Sequence, residues 1–219
     1  MLEILTAMTP GYSGAMRIFT PSWVKFAAAD TITIKPLTDE GSWRVNLARR
    51  NALLRQHVLE ALDGPMSVLV WLDSDTFVRR ALTEVVLGGT WIGAVRPSNV
   101  NLGVVFFNLH QIRRFREEFV DWWERLHKDV THQLLTSSTY RDDQPIWTKH
   151  LHDLHLDNLV NWLGEEWNFC PNSAEDFEKG CSQLGDQMAI LHVKGKGDWD
   201  NPRHSAKISA AHKYYPELG

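Results

Sequence analysis

A chain of 219 residues is long enough to bury one large α/β core, and 43% hydrophobic with 23% charged content is ordinary for a globular protein. A formal net charge of -4 argues against indiscriminate binding to nucleic acid, and no stretch approaches the ~20 consecutive apolar residues of a membrane span. Cys170 and Cys181 are too few for a disulfide framework and have no histidines at zinc spacing.

Residues 2–8 form a short apolar run ending at Thr9-Pro10-Gly11, a first strand and its loop. Thr20-Pro21 opens a helix, with Thr20 as N-cap and Pro21 at the first helical position. Residues 30–35 alternate polar and apolar before Pro36, the pattern of a half-covered strand. A polar loop over 38–44 leads to a helix over 46–62, with Leu47, Leu54, Val58 and Ala61 on one face and Asp63-Gly64 ending it. Ser67-Val68-Leu69-Val70-Trp71-Leu72 follows, a Val-rich buried strand that stops at Asp73-Ser74-Asp75.

A short helix over 81–87, stopped by Gly88-Gly89, precedes strands over 91–95 and 102–107. Ile112, Phe115, Phe119, Trp122 and Leu126 step at three and four residues along one amphipathic helix. Arg113, Arg114 and Arg116 lie off that stripe, on a solvated face. A polar loop over 136–140 leads to Asp142-Asp143-Gln144-Pro145 and a helix through His150. The last strand, over 187–193, carries His192 at its end, just before Lys194-Gly195-Lys196-Gly197. His150, His152 and His155 have no acid at a matching spacing and read as polar surface. Without repeats or linkers, the chain reads as one α/β domain over 1–219, a mixed, mostly parallel sheet flanked by helices, with an irregular basic tail over 200–219. No signal-peptide pattern follows Met1, so the expectation is a cytoplasmic protein, or host cytoplasm if phage-encoded.

In open α/β sheets ligands sit outside the carboxyl ends of strands. Asp73 and Asp75, two residues apart on extended chain, would point the same way there and suit a divalent ion carrying phosphate. Taken alone, the tripeptide fits a solvated acidic loop equally well. The order of features separates the two: Asp73-Ser74-Asp75 after a buried strand, Asn101-Leu102-Gly103-Val104, Asp143-Gln144 at a helix start, and a late His192 before glycine. With these residues over most of 1–199, the chain resembles nucleotide-sugar glycosyltransferases of the GT-A fold, and is most similar to small family-8-like members with an acid-x-acid motif.

The resemblance implies a Mn²⁺ or Mg²⁺ ion held by Asp75 and His192, with Asp73 sharing the metal or meeting the ribose; an imidazole among oxygen ligands tilts the choice toward Mn²⁺. It implies a nucleoside-diphosphate sugar, of the UDP class, with base and ribose against Thr6, Ala7 and Met8. Ser74 lies within the motif, and Lys194, Gly195 and Lys196 are placed to reach the diphosphate. Arg44, Asn46, Arg49 and Arg50 begin the helix before the acidic strand; Arg49 or Arg50 is the candidate for a sugar or phosphate contact, and surface charge is the equal alternative. Asn101 and Gly103 would line the floor under the donor sugar. Asp143 would meet the sugar or acceptor hydroxyl, as general base if the reaction inverts, or with Gln144 would steady the reacting sugar if it retains. Helix capping competes for Asp142 and Asp143. Trp167 and Asn168 would wall the acceptor, while Trp122, Trp123 and Trp162, among ten tryptophans, fit the core.

Two other classes compete. Haloacid-dehalogenase-like phosphatases also place an acid-x-acid pair at a strand end with Mg²⁺, but want Thr or Val where this chain has Phe77. The other is a non-catalytic nucleotide- or sugar-binding module; a glycosidase, whose carboxylates flank the scissile bond, fits less well. The acceptor stays open between a glycan, a small molecule and a hydroxymethylated base of phage-type DNA. Arg113, Arg114, Arg116, Arg203, Lys207 and Lys213 would serve DNA phosphates only if they converged.

Overall fold

Most of the apolar runs become strands of one six-stranded sheet, the last of them joins a small separate ribbon, and amphipathic stretches cover both faces of the large sheet. The computed structural model describes residues 1–95, 101–137, 142–156, 158–193 and 202–218. In chain order the elements are β1 (Leu2–Met8), α1 (Ser13–Phe26), β2 (Thr31–Pro36), α2 (Trp43–Ala61), β3 (Val68–Leu72), β4 (Thr76–Val78), β5 (Ile92–Val95), β6 (Val104–Asn108), α3 (Leu109–Arg114), α4 (Arg116–Thr136), α5 (Gln144–Leu156), β7 (Val160–Leu163), α6 (Ala174–Leu184), β8 (Ile190–His192) and α7 (Pro202–Tyr214).

Six strands form a sheet in the order β2-β1-β3-β6-β5-β7, and β4 pairs with β8 in a separate two-stranded ribbon. β1 runs parallel to β2 and β3, and β5 parallel to β7. β6 alone is reversed, antiparallel to β3 and β5. The sheet is therefore mixed and mostly parallel, covered on both sides.

The two-residue period of a strand explains the two cores. Leu69 and Trp71 of β3 join Leu47, Leu54 and Val58 of α2, Trp123 of α4 and Trp147 of α5. Val70 and Leu72 instead join Met16 and Trp23 of α1. A third cluster, including Phe19, Phe77, Phe177, Leu191 and Tyr215, fastens the small ribbon to α1 and α6.

Several expectations are corrected. Thr20-Pro21 lies inside α1 instead of opening it; Pro21 is exposed and forfeits only the hydrogen bond its missing N–H would donate. Residues 81–87 contain only a 3-10 turn, Leu82–Glu84. The stripe from Ile112 to Leu126 is not one helix: Phe115, at φ -129° and ψ 45°, breaks it and is 40% exposed, so α4 starts afresh at Arg116. The tail is helical as α7, not irregular, because it packs on α6. Strands β4 and β7 and helix α6 add to the elements expected from the sequence. Among the described residues no helix is long and apolar enough to cross a membrane.

Candidate active site

β3 ends at Leu72, and Asp73-Ser74-Asp75 turns the chain out of the large sheet into β4 of the small one. Extended chain is the expectation from the sequence here; instead the Thr76 hydroxyl donates to the Asp73 carbonyl at 2.9 Å and closes a turn. The two acids are thus anchored to different sheets. The Asp73 amide donates to the Gly103 carbonyl at 2.8 Å, extending the β3–β6 ladder, while the Asp75 carbonyl accepts from the Val193 amide at 2.9 Å, extending β4–β8. Helix α1 holds β4 in place: the Trp23 indole donates to the Thr76 carbonyl at 2.6 Å, and the Ser22 hydroxyl accepts from the Val78 amide at 3.0 Å.

β4–β8 pairing sets Thr76 opposite His192 and so brings the imidazole to the acids. His192 Nε2 lies 3.1 Å from Asp75 Oδ1 and 3.8 Å from Asp73 Oδ2. One ligand atom from each of the three residues falls within 4.8 Å of the others. Asp75 and His192 are 4% and 3% exposed. Gly103 makes the close approach possible, since a Cβ there would run into the imidazole. Two carboxylates and an imidazole converging on one point are a donor set suited to a divalent cation, and the residues fit such an ion.

Around this cluster the charges are interlocked. Arg50 donates to Asp73 Oδ1 at 3.1 Å and to Asp143 Oδ2 at 2.8 Å. The Asn51 amide donates to the same Asp143 oxygen at 2.6 Å, and its carbonyl accepts from the Trp147 indole at 2.9 Å. Trp71 also donates to Asp73 Oδ1, at 3.1 Å. Capping falls to Asp142, whose Oδ1 accepts from the Gln144 amide at 3.2 Å, which leaves Asp143 for Arg50 and Asn51.

Burial disfavours the Asp73 carboxylate and raises its pKa, although Arg50 and His192 pull the other way. Burial works against the His192 imidazolium as well, but the Asp75 carboxylate, with Cys170 and Asp73, outweighs it and lifts the pKa to about 10. Arg50, despite its burial, is held above its ordinary range by Asp143 and Asp73. The Tyr12 phenol, at the mouth of α1, is raised by burial and then by Asp75 and Asp73.

Other candidates fall variously. Thr6 is buried, and its Oγ1 has no partner among the described residues; Ala7 and Met8 are partly buried beside it. Ser74 is buried within the turn, and Gln144 begins α5. Asn101 Oδ1 accepts from the Gly103 amide at 3.0 Å, and Asn168 donates to the Asn101 carbonyl at 3.1 Å. Trp167 is 8% exposed, its ring edge-on to Phe106 within the core. Arg44 turns to the Gln133 and Ser137 carbonyls, Asn46 to Asp39 and Arg49 to Glu40, so these three join the rim of α2 and not the acid cluster. Lys194, Gly195 and Lys196 lie outside the described residues, as does the Arg203 side chain.

Tyr12, Asn51 and Trp147 were missed. Asn51 had a signal, a polar residue standing in the apolar stripe of α2 between Leu47 and Leu54.

No protein-family model matches the sequence, and no curated protein matches it. Solved structures do resemble it. A galactosyltransferase, LgtC, in complex with donor and acceptor sugar analogues matches at a TM-score of 0.55 and 16% identity, over 99% of this chain and 94% of that one. A glycosyltransferase involved in glycosylation of the major capsid of PBCV-1 matches at 0.59 and 12%, over 95% and 98%. The fold is the GT-A fold. The glycosyltransferase GlyE of Streptococcus pneumoniae TIGR4 matches at 0.57 and 16%, with 99% of this chain spanning 62% of GlyE.

Proposed function

We propose that this GT-A chain is a metal-dependent glycosyltransferase that moves a sugar from a nucleoside-diphosphate sugar, of the UDP class, to a hydroxyl acceptor. The observation that carries the reading is the convergence of Asp73, Asp75 and His192 just past the carboxyl end of β3. Asp73, Asp75 and His192 would hold Mn²⁺ or Mg²⁺, which when bound supplies Lewis-acid stabilisation to a diphosphate leaving group.

The chain's own residues do the rest. Thr6, Ala7 and Met8 border the place proposed for base and ribose, and the buried Thr6 hydroxyl has no partner among the described residues. Arg50 bridges the metal-binding acid Asp73 and Asp143 and brings a fixed positive charge to the phosphate side. Among the described residues, the hydrogen bonds to the Asp143 carboxylate, from Arg50 and Asn51, fall on Oδ2. Its other oxygen is assigned to the sugar or the incoming hydroxyl, beside Gln144 at the start of α5. Asn101 and Gly103 form the floor under the sugar, where a larger residue than glycine would displace His192.

Incubating the protein with Mn²⁺ and a panel of nucleotide-sugars, and scoring released nucleotide without acceptor, tests the reading. Hydrolysis of one donor class is expected, abolished by chelator and reduced about a hundredfold or more in Asp75→Ala. Hydrolysis of simple phosphate esters with no nucleotide-sugar turnover would instead identify a phosphatase, and binding without turnover a non-catalytic module.

A further inference from the structure

Asp73 continues the β3 ladder through its amide, so the two-residue period of the strand puts its side chain on the same face as that of Trp71. The strand is paired on both sides at this point, Trp71 lying opposite Leu5 of β1 and Val105 of β6, and the residue is 2% exposed. The Arg50 guanidinium stands 5.7 Å from the centre of the Trp71 ring, so indole and guanidinium reach Asp73 from adjoining positions. Both arrive at the same oxygen: each donates to Asp73 Oδ1 at 3.1 Å. A carboxylate oxygen carries two lone pairs, and an indole N–H and a guanidinium are donors only. Oδ1 is thereby filled from the protein side. Oδ2 is the oxygen turned to His192, 3.8 Å from Nε2.

Whether a carboxylate offers one oxygen or two discriminates between cations. Ca²⁺ takes about six to eight oxygens in a flexible shell and accepts both oxygens of one carboxylate. Mg²⁺ demands near-ideal octahedral geometry, which Mn²⁺ also adopts, and the narrow bite of a chelating carboxylate fits an octahedron poorly. A phenyl ring would fill most of the slot that Trp71 occupies in the core; only the indole N–H reaches the carboxylate.

Resting on the metal-dependent reading given above, we infer that Trp71 is a positioning residue: its indole, together with Arg50, holds Asp73 to a single ligating oxygen and so selects Mn²⁺ or Mg²⁺ over Ca²⁺. The selecting group touches neither the ion nor the donor. It acts from inside the core, through the one oxygen of Asp73 that it keeps.

Cation binding can be read without turnover, by titration calorimetry with Mn²⁺ and with Ca²⁺, each in the presence of UDP. Trp71→Phe should lower the ratio of Mn²⁺ to Ca²⁺ affinity about tenfold, the loss of one hydrogen bond to a charged group. Trp122→Phe removes the same ring volume from the same core cluster, on α4 beside Phe119 and Trp123, and should leave the ratio unchanged. An unchanged ratio in Trp71→Phe, or an equal fall in both variants, overturns the role of Trp71. Should Trp71→Phe not fold, a crystal structure of the wild-type protein with Mn²⁺ and UDP decides. Ligation through Oδ2, with Oδ1 kept by Trp71 and Arg50, is expected; chelation through both oxygens of Asp73 overturns the role. Such chelation in a protein that hydrolyses a nucleotide-sugar would leave the transferase reading standing. The expected ligation without hydrolysis of any donor would sink that reading and leave Trp71 its role, and a wild-type protein that binds no Mn²⁺ with UDP overturns both.

Discussion

At the scale of single residues, Asn51 illustrates how a core position becomes part of a site. It lies one helical turn from Leu47 on the buried face of α2, is 2% exposed, and joins the Trp147 indole to the Asp143 carboxylate. A buried carboxylate held by one arginine alone has one rotamer restraint fewer, and reacting groups tolerate little misplacement. Asn51→Leu is therefore expected to lower kcat on the order of tenfold with little change in donor KM. It should also cost about 1–3 kcal/mol of stability in urea unfolding, since it strips a hydrogen bond from a buried charge. An unchanged kcat in a folded Asn51→Leu protein would mean that Arg50 suffices to place Asp143. The arginines on the same helix show the opposite case. Arg44 and Arg49 sit within two turns of Arg50, yet their long side chains go to Gln133, Ser137 and Glu40. Only Arg50 points across β3, and nothing in the local sequence distinguishes it from Arg49.

At the scale of elements, α4 carries a titratable group that no partner among the described residues compensates. His127 is 3% exposed and wedged between Trp123, at a ring-centroid distance of 4.3 Å, and Trp147, at 5.9 Å. Neither ring nitrogen has a hydrogen-bond partner among the described residues. Burial, then the charges of Arg55 and His150, drives its pKa from 6.5 down to about 3. The unfolded chain takes up a proton on this imidazole near pH 6.5 that the folded protein excludes until about pH 3. Stability contributed by the neutral form is thus complete above pH 6.5 and declines as pH falls toward 3. His127→Phe, which keeps a flat ring in the slot, should flatten the fall in melting temperature across that window; an identical pH profile in the variant would show that other groups carry the acid sensitivity. The elements also show where periodicity reads well. The four apolar positions expected on α2 are all buried, whereas the stripe from Ile112 to Leu126 crosses a break at Phe115. A three-and-four spacing continues through a one-residue interruption, and so conceals it.

At the scale of the whole molecule, the acid turn is the joint between two sheets. Asp73 is bonded to β6 in the six-stranded sheet, while Asp75 and His192 belong to the ribbon of β4 and β8. An ion held by all three would tie the ribbon to the sheet as well as serve chemistry. Mn²⁺ at about a hundred times its dissociation constant should raise the melting temperature by roughly 5–10 °C over chelated protein. Asp75→Ala should lose that increment, and an equal rise in this variant would place the ion elsewhere.

The order of residues is enough to show that an apolar Val-rich run ends in two acids, that a late strand ends in histidine, and that the intervening helices alternate with strands into a mixed sheet. These follow from periodicity and from polar residues placed at the ends of apolar runs, which are local properties. Tertiary structure decided the rest. Only the pairing of Thr76 with His192 sets the imidazole against Asp75, and only the crossing of α2 over β3 chooses Arg50 and Asn51 as partners of Asp143. Three-residue strands such as β4 and β8 have too few positions to show a period, and a tail helix such as α7 takes its burial from α6. Long-range contact, which no window of sequence contains, is what aims those side chains.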